Sequence, residues 1–246
     1  MSGHSKWHNI QAKKGKADAA RGKIFTKLGR ELAVAAKGNP NPSTNSKLAD
    51  VIAKAKAANM PNDNIERSIK RAAGEMGDKD YKELTYEGYG AGGAAVIVTT
   101  LTDNINRTAG DVRAIMSKHG GSLGMNGCVS YMFDNKGVIV VERTPNLSED
   151  EVTEYAIEAG ADDVVTADDA FEIYTTPAAF SEARKYLEEK GLSFLQAEIT
   201  MLPQNKITLE GDKLETFMKM LDKLDENDDV QNVYHNVELP EEDEED

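Results

Sequence analysis

The chain has 246 residues, 43 acidic against 29 basic, a net charge of −14 and a single cysteine, Cys128. One cysteine excludes a disulfide framework and a cysteine-built metal site, and no apolar run is long enough for a signal peptide or a membrane span. The expectation is a soluble, cytoplasmic protein of one large domain or about two to three small ones.

Helices come first along the chain. Ile24, Phe25, Leu28, Leu32 and Ala35 recur at helical spacing and predict a helix over 18–37, ended by Gly38 and by Asn39-Pro40-Asn41-Pro42. Leu48, Val51, Ile52 and Ala55 predict a second helix over 46–58, stopping before Pro61. Asn62 is the expected N-cap of a third helix carrying Ile65, Ile69 and Ala72, closed by Gly74. The residues ahead of this bundle have no such pattern and read as an arm.

The Gly-rich stretch 74–93 marks a change of regime. Beyond it the pattern predicts a buried strand over 95–101, a helix over 106–119 ended by Gly120-Gly121, and strands over 129–133 and 138–141. There follow a helix over 148–159, strands near 164–165 and 171–174, a helix over 177–190 and a strand over 193–201. The chain finishes with a strand over 206–208, a helix over 212–224 and a strand over 229–234.

Residues 138–201 hold a complete β-α-β-β-α-β set, and 95–133 with 206–235 supply a second. The expected fold is α+β: an N-terminal three-helix domain followed by two ferredoxin-like α/β domains, one inserted in the other. The expected boundaries are 1–79 for the arm and bundle, 80–135 plus 204–238 for the discontinuous domain and 136–203 for the inserted one. An acidic, disordered tail would occupy 239–246.

Charge divides along these lines. Residues 1–79 hold 16 Lys+Arg against 7 Asp+Glu, whereas the rest holds 13 against 36. A basic head on an acidic body points to a polyanionic partner, nucleic acid first. Lys16, Lys23, Lys27, Arg30 and Lys37 fall on one stripe of the first helix, opposite Ile24, Leu28 and Leu32. Such a stripe suits a row of phosphates. A solvated lysine face is the plainer reading, but acidic partners at helical spacing are nearly absent from the segment. Arg21 belongs with the stripe, and Lys6, Trp7, Lys13 and Lys14 extend it into the arm. There Trp7 either stacks on an unpaired base or anchors the arm to the bundle.

Other motifs carry less. His4 and His8 share a helical spacing but lack further ligands for a metal. Gly88-Tyr89-Gly90-Ala91-Gly92-Gly93 precedes a strand, so it reads as a turn of close backbone approach and not as a dinucleotide fingerprint, with Tyr86 and Tyr89 as a weak second nucleic-acid contact. At Thr102-Asp103-Asn104-Ile105-Asn106-Arg107-Thr108 either Asn104 or Asn106 caps a helix, or Arg107 and the free N–H groups hold a phosphate. No nucleophile–base pair or phosphate loop stands out, so neither an enzyme nor a cofactor is expected.

The chain resembles the YebC family. The resemblance rests on Gly3-His4-Ser5-Lys6-Trp7, Arg21-Gly22-Lys23-Ile24-Phe25-Thr26-Lys27, Arg30-Glu31-Leu32, Asn59-Met60-Pro61, Tyr86-Glu87-Gly88-Tyr89-Gly90, Thr102-Asp103-Asn104 with Asn106-Arg107-Thr108, Ser117-Lys118-His119-Gly120-Gly121 and Val230-Gln231-Asn232-Val233-Tyr234-His235-Asn236. It implies the same three-part fold and two functions: a DNA-binding transcriptional regulator, or a ribosome-associated translation factor that binds ribosomal RNA and relieves stalling at proline-rich peptide bonds. The partner is then DNA or ribosomal RNA, with no membrane and a monomer favoured. A protein scaffold would leave the basic stripe unexplained.

Overall fold

In the computed structural model, which describes residues 19–72 and 80–240, apolar residues at helical spacing turn inward in three short helices, α1 (Ala19–Ala36), α2 (Ser46–Ala57) and α3 (Asn62–Ala72). Leu28, Leu32, Ala35, Leu48, Ala55, Met60 and Ile65 form their core, with Phe25, Val51, Ile52 and Ile69 packed around it. Ile24, expected inside, is exposed. Gly38 ends α1 at φ 81°. Asn45 then joins two helices: its Oδ1 accepts from the Leu48 N–H to cap α2, while its Nδ2 donates to the Ala35 and Asn39 carbonyls, each at 2.7 Å. The first turn of α3 closes on the Pro61 carbonyl, which accepts from Asn64 and Ile65, so that helix is entered one residue before the expected cap. Gly74, its expected end, and residues 241–246 of the expected tail lie outside the described residues, whereas Leu239, placed in that tail, is buried in a core.

Two four-stranded antiparallel sheets follow. The second is built from β4 (Phe133–Glu142), α5 (Glu149–Glu158), β5 (Asp163–Thr166), β6 (Ala170–Thr175), α6 (Phe180–Glu189) and β7 (Phe194–Pro203), in the order β5-β6-β4-β7. Alternation sorts its faces: Ile139, Val141, Phe171 and Ile173 meet Phe180, Ala183 and Leu187 of α6, whereas Val138 and Val140 face away with Tyr174 and Leu202. The strand expected over 138–141 is longer, since β4 starts at Phe133 opposite Pro203 and crosses the expected boundary at 136.

The first sheet surrounds this insertion in sequence. It comprises β1 (Lys82–Tyr89), β2 (Ala95–Thr102), β3 (Ser122–Leu123) and β9 (Val230–His235), in the order β3-β1-β2-β9. Helices α4 (Ile105–Lys118) and α7 (Gly211–Asp225) supply Val112, Met116, Phe217, Met220 and Leu224 to its core. A short parallel pair, β8 (Ile207–Thr208) with β10 (Val237–Glu238), closes the unit. Both sheets share one plan: β2, α4, β3, α7 and β9 stand where β4, α5, β5, α6 and β7 stand in the other. The place of β6 is filled by β1, which comes from ahead of β2. Each unit is thus ferredoxin-like, the first with its third strand moved to the front.

Two expectations change here. The Gly-rich stretch contains β1, paired with β2 along its whole length. Residues 129–133 are not a strand of the first sheet; they turn through a short 3₁₀ segment into β4, and the strand that follows α4 is β3.

Candidate nucleic-acid interface

The middle of the basic face of α1, at Lys27 and Arg30, is turned away from solvent, while Lys37 stays 57% exposed. That middle part lies on the acidic turn between α7 and β9, Asp225-Glu226-Asn227-Asp228-Asp229. Lys27 Nζ reaches Asp225 Oδ1 at 2.6 Å, with its side chain only 12% exposed. Arg30 Nη1 donates to Asp229 Oδ1 at 2.7 Å, to the Asp228 carbonyl at 2.6 Å and to the Leu101 carbonyl at 3.0 Å, with Tyr81 beneath its guanidinium. Lys37 binds Asp80 at 2.6 Å. Lys223 and, more weakly, Lys23 hold the Glu226 carboxyl below its usual range. The row of phosphate contacts expected from Lys27, Arg30 and Lys37 is therefore a row of ion pairs within the chain, made with carboxylates that helical spacing does not supply.

Asp229 is the centre of this contact. It is buried and accepts from Arg107 Nη2 at 2.8 Å, Thr108 Oγ1 at 2.7 Å and Thr102 Oγ1 at 3.2 Å as well as from Arg30. Burial opposes its charge, yet these donors outweigh it and hold the carboxyl at about 2. Asn104 caps α4 by accepting from the Arg107 N–H, the structural reading of that motif. The anion near the start of α4 is the protein's own Asp229, with Arg107 pairing Asp103 on its other side.

A second set of polar contacts joins the bundle to the inserted unit. Asp50 of α2 accepts from the Ser181 hydroxyl and from Arg184 Nε, the latter at 2.8 Å. Lys54 lies 3.1 Å from Glu31 and 3.7 Å from Glu198 of β7. Burial pulls the Lys54 ammonium down, but those carboxylates overcome it and raise it above its ordinary range. Asp225, Asp229, Asp50 and Glu198 were not among the expected site residues. For Asp225 and Asp229 the signal available was the acidic run 225–229, complementary to the basic helix; Asp50 and Glu198 carried none.

Of the remaining candidates, Arg21 is exposed at the start of α1 and Lys23 is half-buried. Lys6, Trp7, Lys13, Lys14 and Lys16, like His4 and His8, lie outside the described residues. The exposed cations of the bundle include Lys47 and Lys56 on α2 and, on the side of α3 turned away from Ile65 and Ile69, Arg67, Lys70 and Arg71. Lys70 has Glu66 at 3.7 Å. Among the described residues no group of three potential ligands is placed to hold a metal, and no helix is long and apolar enough to cross a membrane.

Comparison with known proteins agrees with this architecture. Residues 5–75 match the family model described as the TACO1/YebC protein N-terminal domain, and 81–237 match the TACO1/YebC second and third domain. A "probable transcriptional regulatory protein" of Clostridium tetani is 58% identical over 98% of this chain and 99% of its own length. One from Geobacillus thermodenitrificans is 55% identical over 96% and 97%. The crystal structure of a conserved hypothetical protein from Aquifex aeolicus superposes with a TM-score of 0.80 at 45% identity, covering 93% of this chain and 95% of that one. With both family models matched in order along nearly its whole length, the chain belongs to the TACO1/YebC family.

Proposed function

We propose that the protein is a nucleic-acid-binding regulator of gene expression, and specifically a DNA-binding transcriptional regulator that acts without catalysis. The observation that carries this reading is the charge division, 16 basic against 7 acidic residues before position 80 and 13 against 36 after it. The names of its relatives favour transcription. The units 1–79, 80–135 with 204–238, and 136–203 act as a nucleic-acid-facing head and two acidic units behind it.

Because Lys27, Arg30, Lys37 and Arg107 are engaged within the chain, the exposed face of α3 is the part of the bundle best placed to meet phosphate first. The arm cations Lys6, Lys13, Lys14 and Lys16, with Trp7, Arg21 and Lys23, add to the same polyanion-seeking head. The double variant R67E/R71E should weaken binding to a duplex DNA fragment. It should also flatten the plot of log affinity against log salt by roughly 0.9 for each phosphate no longer neutralised. An unchanged slope would remove α3 from the interface. Sequencing nucleic acid crosslinked to the protein in cells separates the transcriptional reading, which requires promoter DNA, from a ribosomal one.

A further inference from the structure

The loop between β3 and β4 is built as carefully as a core and yet ends in water. Glu87 of β1 is buried, and its carboxylate accepts three backbone N–H groups of that loop: Gly127 at 2.8 Å, Val129 at 3.0 Å and Ser130 at 2.9 Å. Burial opposes the charge of Glu87, but those donors win and keep its carboxyl below the usual range. The Glu87 carbonyl accepts from Gly124, Cys128 N–H turns back to Met125, and Gly121 N–H returns to Met116 of α4.

What this frame presents is apolar and aromatic. Met125 is 85% exposed and Tyr131 69%, and Tyr89 is exposed beside them. The Tyr89 hydroxyl donates to the Cys128 carbonyl at 3.2 Å, and the Tyr131 hydroxyl lies within hydrogen-bonding reach of it. A loop that needed only to link two strands would be polar. Here a buried carboxylate fixes the backbone from which Tyr131 and Met125 project into solvent, so less backbone order remains to be lost on binding.

Charge selects the occupant. The protein has 43 acidic residues, but none falls between Asp111 and Asp134, a stretch that holds Arg113 and Lys118. Glu87, the carboxylate that holds the loop, is turned inward onto backbone donors. The segment therefore adds no negative charge of its own to repel a phosphate backbone. Flat π-faces in a segment that carries cations and no carboxylates suit unpaired bases, because every base offers a face to stack and the phosphate follows the cation.

We infer that Tyr131, Tyr89 and Met125, held by Glu87, form a stacking platform for unpaired nucleobases, a contact separate from the basic head. The inference rests on the nucleic-acid-binding reading above. Its test uses the full-length protein and oligomers of about a dozen nucleotides, as single-stranded RNA, single-stranded DNA and duplex DNA, each carrying 2-aminopurine. Tyr131→Ala should weaken single-strand binding roughly tenfold and abolish the change in base fluorescence, with the salt slope unchanged because the same number of phosphates stays neutralised. Tyr131→Phe should keep both, and neither variant should alter the melting temperature, since the ring is exposed. Which single strand shows the larger loss identifies the source of the bases.

Failure of the wild-type protein to bind any of the three oligomers would overturn the nucleic-acid reading itself. Salt-dependent binding that R67E/R71E weakens but Tyr131→Ala leaves untouched, in affinity and fluorescence, would overturn the platform alone. The platform would equally be overturned if Tyr131→Ala released a bound protein while single-strand affinity stayed the same, since a protein would then be its partner.

Discussion

Asp229 decides how the basic helix is used. A carboxylate bonded by two guanidinium groups and two hydroxyls is favoured in its charged form despite burial. Its folded value of about 2 lies below the ordinary 3.8, so as pH falls the unfolded chain takes up the proton first. The stabilisation is complete above pH 3.8 and disappears as pH approaches 2. Its size is about 2 kcal/mol, from the depression of the carboxyl at ~1.4 kcal/mol per pH unit. Asp229→Asn should therefore lower unfolding free energy by ~2–4 kcal/mol at neutral pH, because two cations lose their shared anion. It should also flatten the fall in stability between about pH 4 and about pH 2.5. Urea titrations across that range check both, and a variant with the same pH dependence as the parent would show that the acid-labile group lies elsewhere.

At the scale of elements, periodicity was a sound guide wherever a single face is buried. The capping box at Ser148 and Glu151 opens α5 within one residue of the expected start. Legibility failed at β1 and at 129–133. In β1 the alternation of Leu84, Tyr86 and the buried Gly88 is short, and the glycines at 88, 90, 92 and 93 favour a loop reading. Those glycines have a specific use: a Cβ on Gly88 would stand 2.2 Å from the Ser122 carbonyl oxygen, so only glycine lets β3 pair there. Gly88→Ala should cost about 1–3 kcal/mol through that clash. Hydrogen exchange should speed up across 121–130 and stay unchanged in β4–β7; equal protection in both regions would separate the loop from β1. Val129-Ser130-Tyr131-Met132-Phe133 has the composition of a strand. Glu87 takes the N–H groups of Val129 and Ser130, leaving the segment to turn.

The whole molecule is three units, and their cores differ in how they meet. Apolar residues of the two sheet units touch, with Ala95, Ile97 and Tyr234 of the first beside Phe133 and Met201 of the second. The bundle keeps its own core, and ion pairs figure prominently where it joins the rest: Lys27–Asp225, Arg30–Asp229, Lys37–Asp80, Lys54–Glu198 and Arg184–Asp50. Lys37–Asp80 is half exposed and weakens as salt shortens the screening length to ~3 Å at 1 M, whereas Arg30–Asp229 and Arg184–Asp50 are mostly buried and are screened much less. Molar sodium chloride should therefore leave the radius of gyration in small-angle scattering nearly constant, whereas Arg30→Ala combined with Arg184→Ala should expand the particle while far-ultraviolet circular dichroism stays constant. A radius of gyration that the double variant leaves unchanged would mean that apolar contacts hold the bundle in place.

Most of the element order and type, the ferredoxin-like repeat around an insertion, the basic head on an acidic body and the family were all legible before folding. They follow from local spacing and composition, which burial and solvation impose residue by residue along the chain. Where the head's charges go was settled in three dimensions. Coulomb energy depends on distance in space, and folding brings Asp225 and Asp229 against Lys27 and Arg30 across 198 and 199 positions of sequence. The same closure turned Glu87 from one more acidic residue into the clamp of a loop, because its partners are backbone N–H groups that no side-chain pattern records.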